Sequence, residues 1–146
     1  MLTKQRGDIA EQAVVLHALT QGWGVSQPIG DYLPYDLILD VSGRLLRVQV
    51  KHAWYDAAKM NYVVDNRRTR TNRRSMVRSP YACEDFDYAV LYIGTSSTFY
   101  VMPSDVFISY GSEIHLVEDD KRQRKPQSAV YREAWYLIDA TFASED

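Results

Sequence analysis

The stretch PYDLILDVSGRLLRVQVK, residues 34–51, decides the architecture. Ser42-Gly43 is a two-residue hairpin signal between two runs of alternating character, residues 35–41 and 44–53. A turn at that position opposes Val41 to Arg44, so paired numbers add to 85 and Asp36 falls opposite Gln49. Alternation then sorts the side chains. One face collects Tyr35, Leu37, Leu39, Val41, Leu46, Val48 and Val50 for a core. The other collects Asp36, Ile38, Asp40, Leu45, Arg47, Gln49 and Lys51. A carboxylate, an amide and an ammonium therefore share one end of the polar face.

Outward from the hairpin, the chain reads as one mixed α/β domain, residues 1–146. Residues 8–20 form a helix, with Ile9, Ala13, Leu16 and Leu19 at helical spacing, Val15 beside them, and Gly22 and Gly24 closing it. Residues 23–28 are extended and 60–65 a strand. Residues 86–93 (FDYAVLYI) are strongly apolar, as a buried central strand is, and 98–102 follow as its neighbour. Residues 105–110 read as a short helix and 114–117 as extended. Tyr131, Trp135, Ile138 and Phe142 recur at i, i+4, i+7 and i+11, which predicts a C-terminal amphipathic helix whose apolar side is either an assembly surface or buried within the monomer.

Composition excludes several classes. At 146 residues, 46% apolar and 25% charged, the chain is neither disordered nor too small to bury a core. It has no apolar run long enough to span a bilayer and no signal-peptide h-region. A single cysteine, Cys83, builds neither an internal disulfide nor a thiolate metal site. Cytoplasm or an organelle interior is the expected location. The net charge of −2 hides an asymmetry: residues 1–83 carry 12 basic and 7 acidic residues, residues 84–146 carry 5 and 12. A basic half is a cue for a polyanion.

The polar end of the hairpin suits a hard cation. Asp36 and the Gln49 amide oxygen are oxygen donors of the type magnesium takes. Lys51 is two residues beyond Gln49 and shares its face, where an ammonium stabilises developing negative charge. Glu11 lies in the first helix. Asp8-Ile9-Ala10-Glu11 fits a capping box at a helix start, so a cap is what the local pattern offers for Glu11. His17, His52 and His115 have no metal-ligand spacing; His17 reads as structural, and His52 faces away from Lys51.

Glu11, Pro34-Tyr35-Asp36 and Gln49-Val50-Lys51 resemble the signature of the PD-(D/E)XK nuclease superfamily, most closely the group I intron-encoded homing endonucleases. The likeness runs over roughly residues 5–105. Tyr35 is inserted between the Pro and the Asp, and Gln49 stands where most members carry Asp or Glu. The resemblance implies a restriction-endonuclease-like core, a mixed central sheet flanked by helices. It implies a Mg2+-dependent double-strand DNA endonuclease in which Asp36, Gln49, the Val50 carbonyl and Glu11 hold metal and Lys51 assists the attacking water.

Arg67, Arg68, Arg70, Arg73, Arg74 and Arg78 form the densest basic tract, with almost no apolar content between them. A guanidinium forks onto a phosphate or onto guanine, so residues 59–80 are expected to be a DNA-contacting ribbon or loop. Pairing of 60–65 with a strand near 74–79 would make the ribbon. Lys121, Arg122, Arg124 and Lys125 form a weaker tract behind Glu118–Asp120. One active site cuts one strand, so a homo-oligomer, dimer or tetramer, is expected. Alternatives are a junction resolvase, a restriction-like nuclease, or a catalytically dead DNA-binding module, for which Gln49 is the main argument.

Overall fold

The computed structural model describes residues 2–71, 76–119 and 126–143, with the side chains of 69–71, 76–78 and 140–143 left aside. Arg73, Arg74, Lys121, Arg122, Arg124 and Lys125 lie outside the described residues. In chain order the elements are α1 (Thr3–Thr20), β1 (Gly24–Ser26), β2 (Leu37–Val41), β3 (Arg44–His52), β4 (Trp54–Asp56), β5 (Asn61–Asp65), β6 (Arg67–Thr71) and β7 (Met76–Pro80). A 3-10 turn, Cys83–Asp85, leads to β8 (Tyr88–Ile93), β9 (Thr98–Pro103), α2 (Ser104–Ser109) and β10 (Glu113–Leu116). A second 3-10 turn, Gln127–Tyr131, precedes α3 (Tyr136–Ala143).

The central sheet has the order β1-β2-β3-β8-β9. Every pairing is antiparallel except β3–β8, which is parallel. The hairpin register is the one a Ser42-Gly43 turn dictates: Leu37 pairs with Val48 and Val41 with Arg44. Both turn residues take positive φ (53° and 91°), as a two-residue turn matching strand twist requires. Leu37, Leu39, Val41, Leu46, Val48 and Val50 are buried on the face that α1 covers. The opposite face of β8 and β9 is also covered, by α2 and by a small antiparallel sheet of order β10-β5-β4. Gln49 on the polar face of the hairpin is therefore only 8% exposed.

Four expectations are corrected. First, α1 begins at Thr3, after Leu2, so Asp8 and Glu11 sit inside the helix and cap nothing. Second, α1 packs through Ala10, Val14 and Ala18, while Ile9, Leu16 and Leu19 are exposed. Small side chains at i, i+4 and i+8 let the helix axis approach the sheet, and that gain in close packing outweighs burial of the larger residues. Third, β5 pairs with β4 and β10, and the Arg-rich ribbon is a separate hairpin, β6 with β7. Fourth, the C-terminal helix starts only at Tyr136, and Trp135 and Ile138 are buried in the monomer core. Trp135 stacks on His17 at 4.0 Å, between Trp23 and Phe99, so these side chains are not an assembly surface. No helix among the described residues is long and apolar enough to cross a membrane.

Candidate active site

The hairpin brings Asp36, Gln49, Val50 and Lys51 to one end of β3. β2 starts at Leu37, so on the β2 side of Val50 the strand pairing has ended and the Asp36 carboxylate takes its place, while Val90 of β8 pairs on the other side. Val50 N–H donates to Asp36 Oδ2 at 2.8 Å, and Asp36 N–H donates to the Val48 carbonyl at 2.9 Å. The N–H and C=O of one strand residue point to the same side, so the Val50 carbonyl also faces the Asp36 side. Gln49 Nε2 donates to that carbonyl at 3.2 Å. Burial pushes the Asp36 carboxyl above its ordinary value, opposed by the Val50 N–H and the Lys51 charge.

Glu11 reaches this end from α1. Its carboxyl is pushed up to about 7, by burial first and then by the charges of Asp36 and Asp8. A pair of carboxylates held close enough to oppose each other's ionisation is what a bound cation relieves. Among the described residues no three His, Cys, Asp or Glu side chains form a ready cage. The donor set nevertheless fits a hard cation: two carboxylates, a main-chain carbonyl and an amide, all oxygen. Turning the Gln49 amide over brings Oε1 towards the Val50 carbonyl, an encounter of two oxygens that a cation would reconcile.

Lys51 continues on the Gln49 face. Its Nζ donates to the Arg67 carbonyl at 3.0 Å and lies 5.2 Å from the centroid of the Tyr81 ring. Tyr81 is buried, which raises its hydroxyl well above the usual phenol range. His52 points to the other face; burial, then Arg6 and Lys51, lower its pKa. Arg47, also on the polar face, is far along the strand. It donates to Asp87 and to the Glu84 carbonyl (2.7 Å), a tie to the entry of β8 rather than to the site.

Two site neighbours carry little or no mark in the sequence. Asp65, the last residue of β5, accepts from Arg67 N–H at 3.0 Å and Arg67 Nε at 3.1 Å. Burial raises its carboxyl, but these bonds and the charges of Arg67 and Lys51 outweigh that and hold it below the usual range. An acid two residues before the arginine tract is the available signal. Tyr81 carries none, because its approach to Lys51 depends on the return of β7. In the ribbon, Arg67 pairs opposite Pro80, Arg68 opposite Ser79, Thr69 opposite Arg78 and Arg70 opposite Val77. Arg68 Nη2 donates to the Tyr32 carbonyl at 2.8 Å.

A family profile described as PD-(D/E)XK endonuclease matches residues 1–138. Among solved structures, a bacterial homing endonuclease, I-Ssp6803I, is 62% identical with a TM-score of 0.91, the match covering 99% of this chain and 97% of that one. MepB is 14% identical with a TM-score of 0.49, covering 87% of this chain and 93% of that one. Among curated proteins none matches.

Proposed function

The chain belongs to the PD-(D/E)XK endonuclease family, and from that premise we propose that it is a homing endonuclease making Mg2+-dependent double-strand breaks in DNA. The observation that carries the reading is the convergence of Asp36, Gln49, the Val50 carbonyl and Lys51 at the strand end, with the Glu11 pKa raised by burial first and then by the nearby Asp36 charge. A magnesium-class cation held by Asp36, Gln49, the Val50 carbonyl and Glu11 would offset phosphate charge and lower the pKa of a water bound to it.

The protein's own groups do the rest. Lys51 is a compact ammonium with three donors, one of them spent on the Arg67 carbonyl. At that place an ammonium stabilises a water or a phosphate oxygen as negative charge grows there. Tyr81 closes one side of Lys51 and keeps bulk water from screening it. The ribbon β6–β7 starts two residues beyond Asp65 and carries Arg67, Arg68, Arg70 and Arg78 in its strands. In this reading it contacts the duplex, with Arg73 and Arg74 completing the tract. Homing from a group I intron and assembly as a homo-oligomer belong to the same proposal, since one site cuts one strand.

The test is cleavage-site mapping on plasmid DNA carrying the uninterrupted version of the gene's own locus. The expected result is one cut position with Mg2+ and intact supercoils with EDTA. Asp36→Asn and Lys51→Ala should keep a cooperative melt while the cleavage rate falls ~10²-fold or more. Wild type leaving every plasmid intact would overturn the nuclease reading and favour a DNA-binding module.

A further inference from the structure

The base of the ribbon is tied down twice, and the two ties meet at adjacent residues. Asn66 is 5% exposed. Its Nδ2 donates to the Phe107 carbonyl at 2.6 Å, with the Gly111 and Tyr110 carbonyls at 3.1 and 3.2 Å. Its own N–H donates to the Ser112 carbonyl at 2.9 Å. Those acceptors lie at the end of α2 and in the loop to β10. The next residue, Arg67, accepts Lys51 Nζ on its carbonyl. Its N–H and Nε are held by Asp65. One peptide unit thus joins the anchor of the DNA-facing ribbon to the ammonium of the active site.

We infer that Asn66 is a positioning residue that sets Lys51 for catalysis through the Arg67 carbonyl, so that placement of the ribbon on DNA and readiness of the active site are coupled. The inference rests on the nuclease reading above. Lys51 carries its charge on a flexible four-carbon stem, and such an ammonium is useful only where something fixes it. The Arg67 carbonyl is one of the groups that hold it, and Asn66, by pinning the preceding residue to the α2–β10 loop, sets the path of the chain into that carbonyl together with Asp65. A ribbon lifted by a wrong DNA sequence shifts the carbonyl and with it Nζ. A misplacement of about 1 Å in a catalytic group is enough to slow chemistry by ~10².

A purely structural Asn66 would close the α2–β10 loop and nothing more. The double-mutant cycle of Asn66→Ala and Lys51→Ala separates the two roles. It is read by single-turnover cleavage of the mapped duplex and by equilibrium binding in Ca2+. The expected result is a roughly 10- to 100-fold slower cleavage step in Asn66→Ala with site affinity changed less than about threefold. In the Lys51→Ala background the same substitution should slow cleavage hardly at all. Should Asn66→Ala lose its cooperative melt, Asn66→Ser, which keeps one donor for the nearest carbonyl, carries the same cycle with a smaller effect. Additive rate losses, or a loss confined to affinity, would overturn the coupling while leaving the nuclease reading intact. A wild type that cuts nothing would instead remove the premise.

Discussion

Gln49 is neutral where most of the family carries an acid, and the structure gives that difference a concrete form. Its amide donates to the Val50 carbonyl, something a carboxylate cannot do. Gln49→Ala should therefore raise the Mg2+ concentration needed for half-maximal cleavage, and Gln49→Glu should be tolerated better. An unchanged magnesium titration in Gln49→Ala would make it a buried neighbour only. Glu11 gives a second test, read without cleavage. Its folded pKa, about 7, is above the ordinary 4.5. The contribution of Glu11 to stability is then fully present below about pH 4.5 and lost as the pH rises through 7 in metal-free protein. Glu11→Gln should gain melting temperature relative to wild type across that window. Mg2+ should raise the wild-type melt more at pH 7 than at pH 5, and raise that of Glu11→Gln less. A parallel pH course for the two proteins would remove Glu11 from the site.

At the scale of elements, legibility divides along how locally each feature is determined. The register of β2 and β3 is readable because a two-residue turn leaves one pairing and the side-chain period of a strand is two. The pairing stops at Leu37; Asp36, expected opposite Gln49, meets β3 at the Val48 carbonyl and the Val50 N–H on either side of it. The buried face of α1 is not readable: Val14 is as apolar as Ile9, Leu16 and Leu19, its face-mates Ala10 and Ala18 carry little hydropathy signal, and only the nearness of the sheet decides in their favour. The ribbon's pairing is not readable either. Residues 60–65 and 67–71 are both plausible partners for 76–80, and the choice is made by β10, far along the chain from β5, which takes that edge. The ribbon itself yields a prediction from register. Alternation puts positions 68 and 70 on one face and 67 on the other, with 78 opposite 69 on the latter. One face of a groove-entering ribbon meets base edges and its flanks meet phosphates. Arg70→Ala and Arg78→Ala should therefore fall into different classes against a site library. Removing an arginine that holds a phosphate flattens the log–log salt slope by about 0.9 for every sequence. Removing one that forks onto a base costs roughly 1–3 kcal/mol at one base pair and relaxes specificity there. Wild-type binding and salt slope in both variants would make the tract a solvated surface and send the search to Lys121, Arg122, Arg124 and Lys125.

For the whole molecule, each chain holds one copy of the Asp36–Gln49–Lys51 arrangement, and a duplex has two strands. The charge distribution fits one DNA-facing side per chain, because the basic residues are concentrated before residue 84, in the part that builds β2, β3 and the ribbon, and the acidic ones after it. Trp135 and Ile138 lie inside the monomer, so any assembly uses other surfaces. In the proposed reading at least two copies act on one site to make a double-strand cut, and this predicts a mixing experiment. Wild type and Lys51→Ala, refolded together at equal ratio, should give assemblies whose sedimentation masses are multiples of 16.9 kDa. On a supercoiled plasmid bearing one site these mixtures should accumulate nicked circles, because a mixed assembly cuts one strand quickly and the other ~10²-fold slower. Pure wild type should give linear product with only a transient nick. If nicked circles do not accumulate and linear product falls simply in proportion to wild-type content, one chain cuts both strands in turn. The two-site requirement would then be wrong, and the active site would have to release and recapture the second strand on its own.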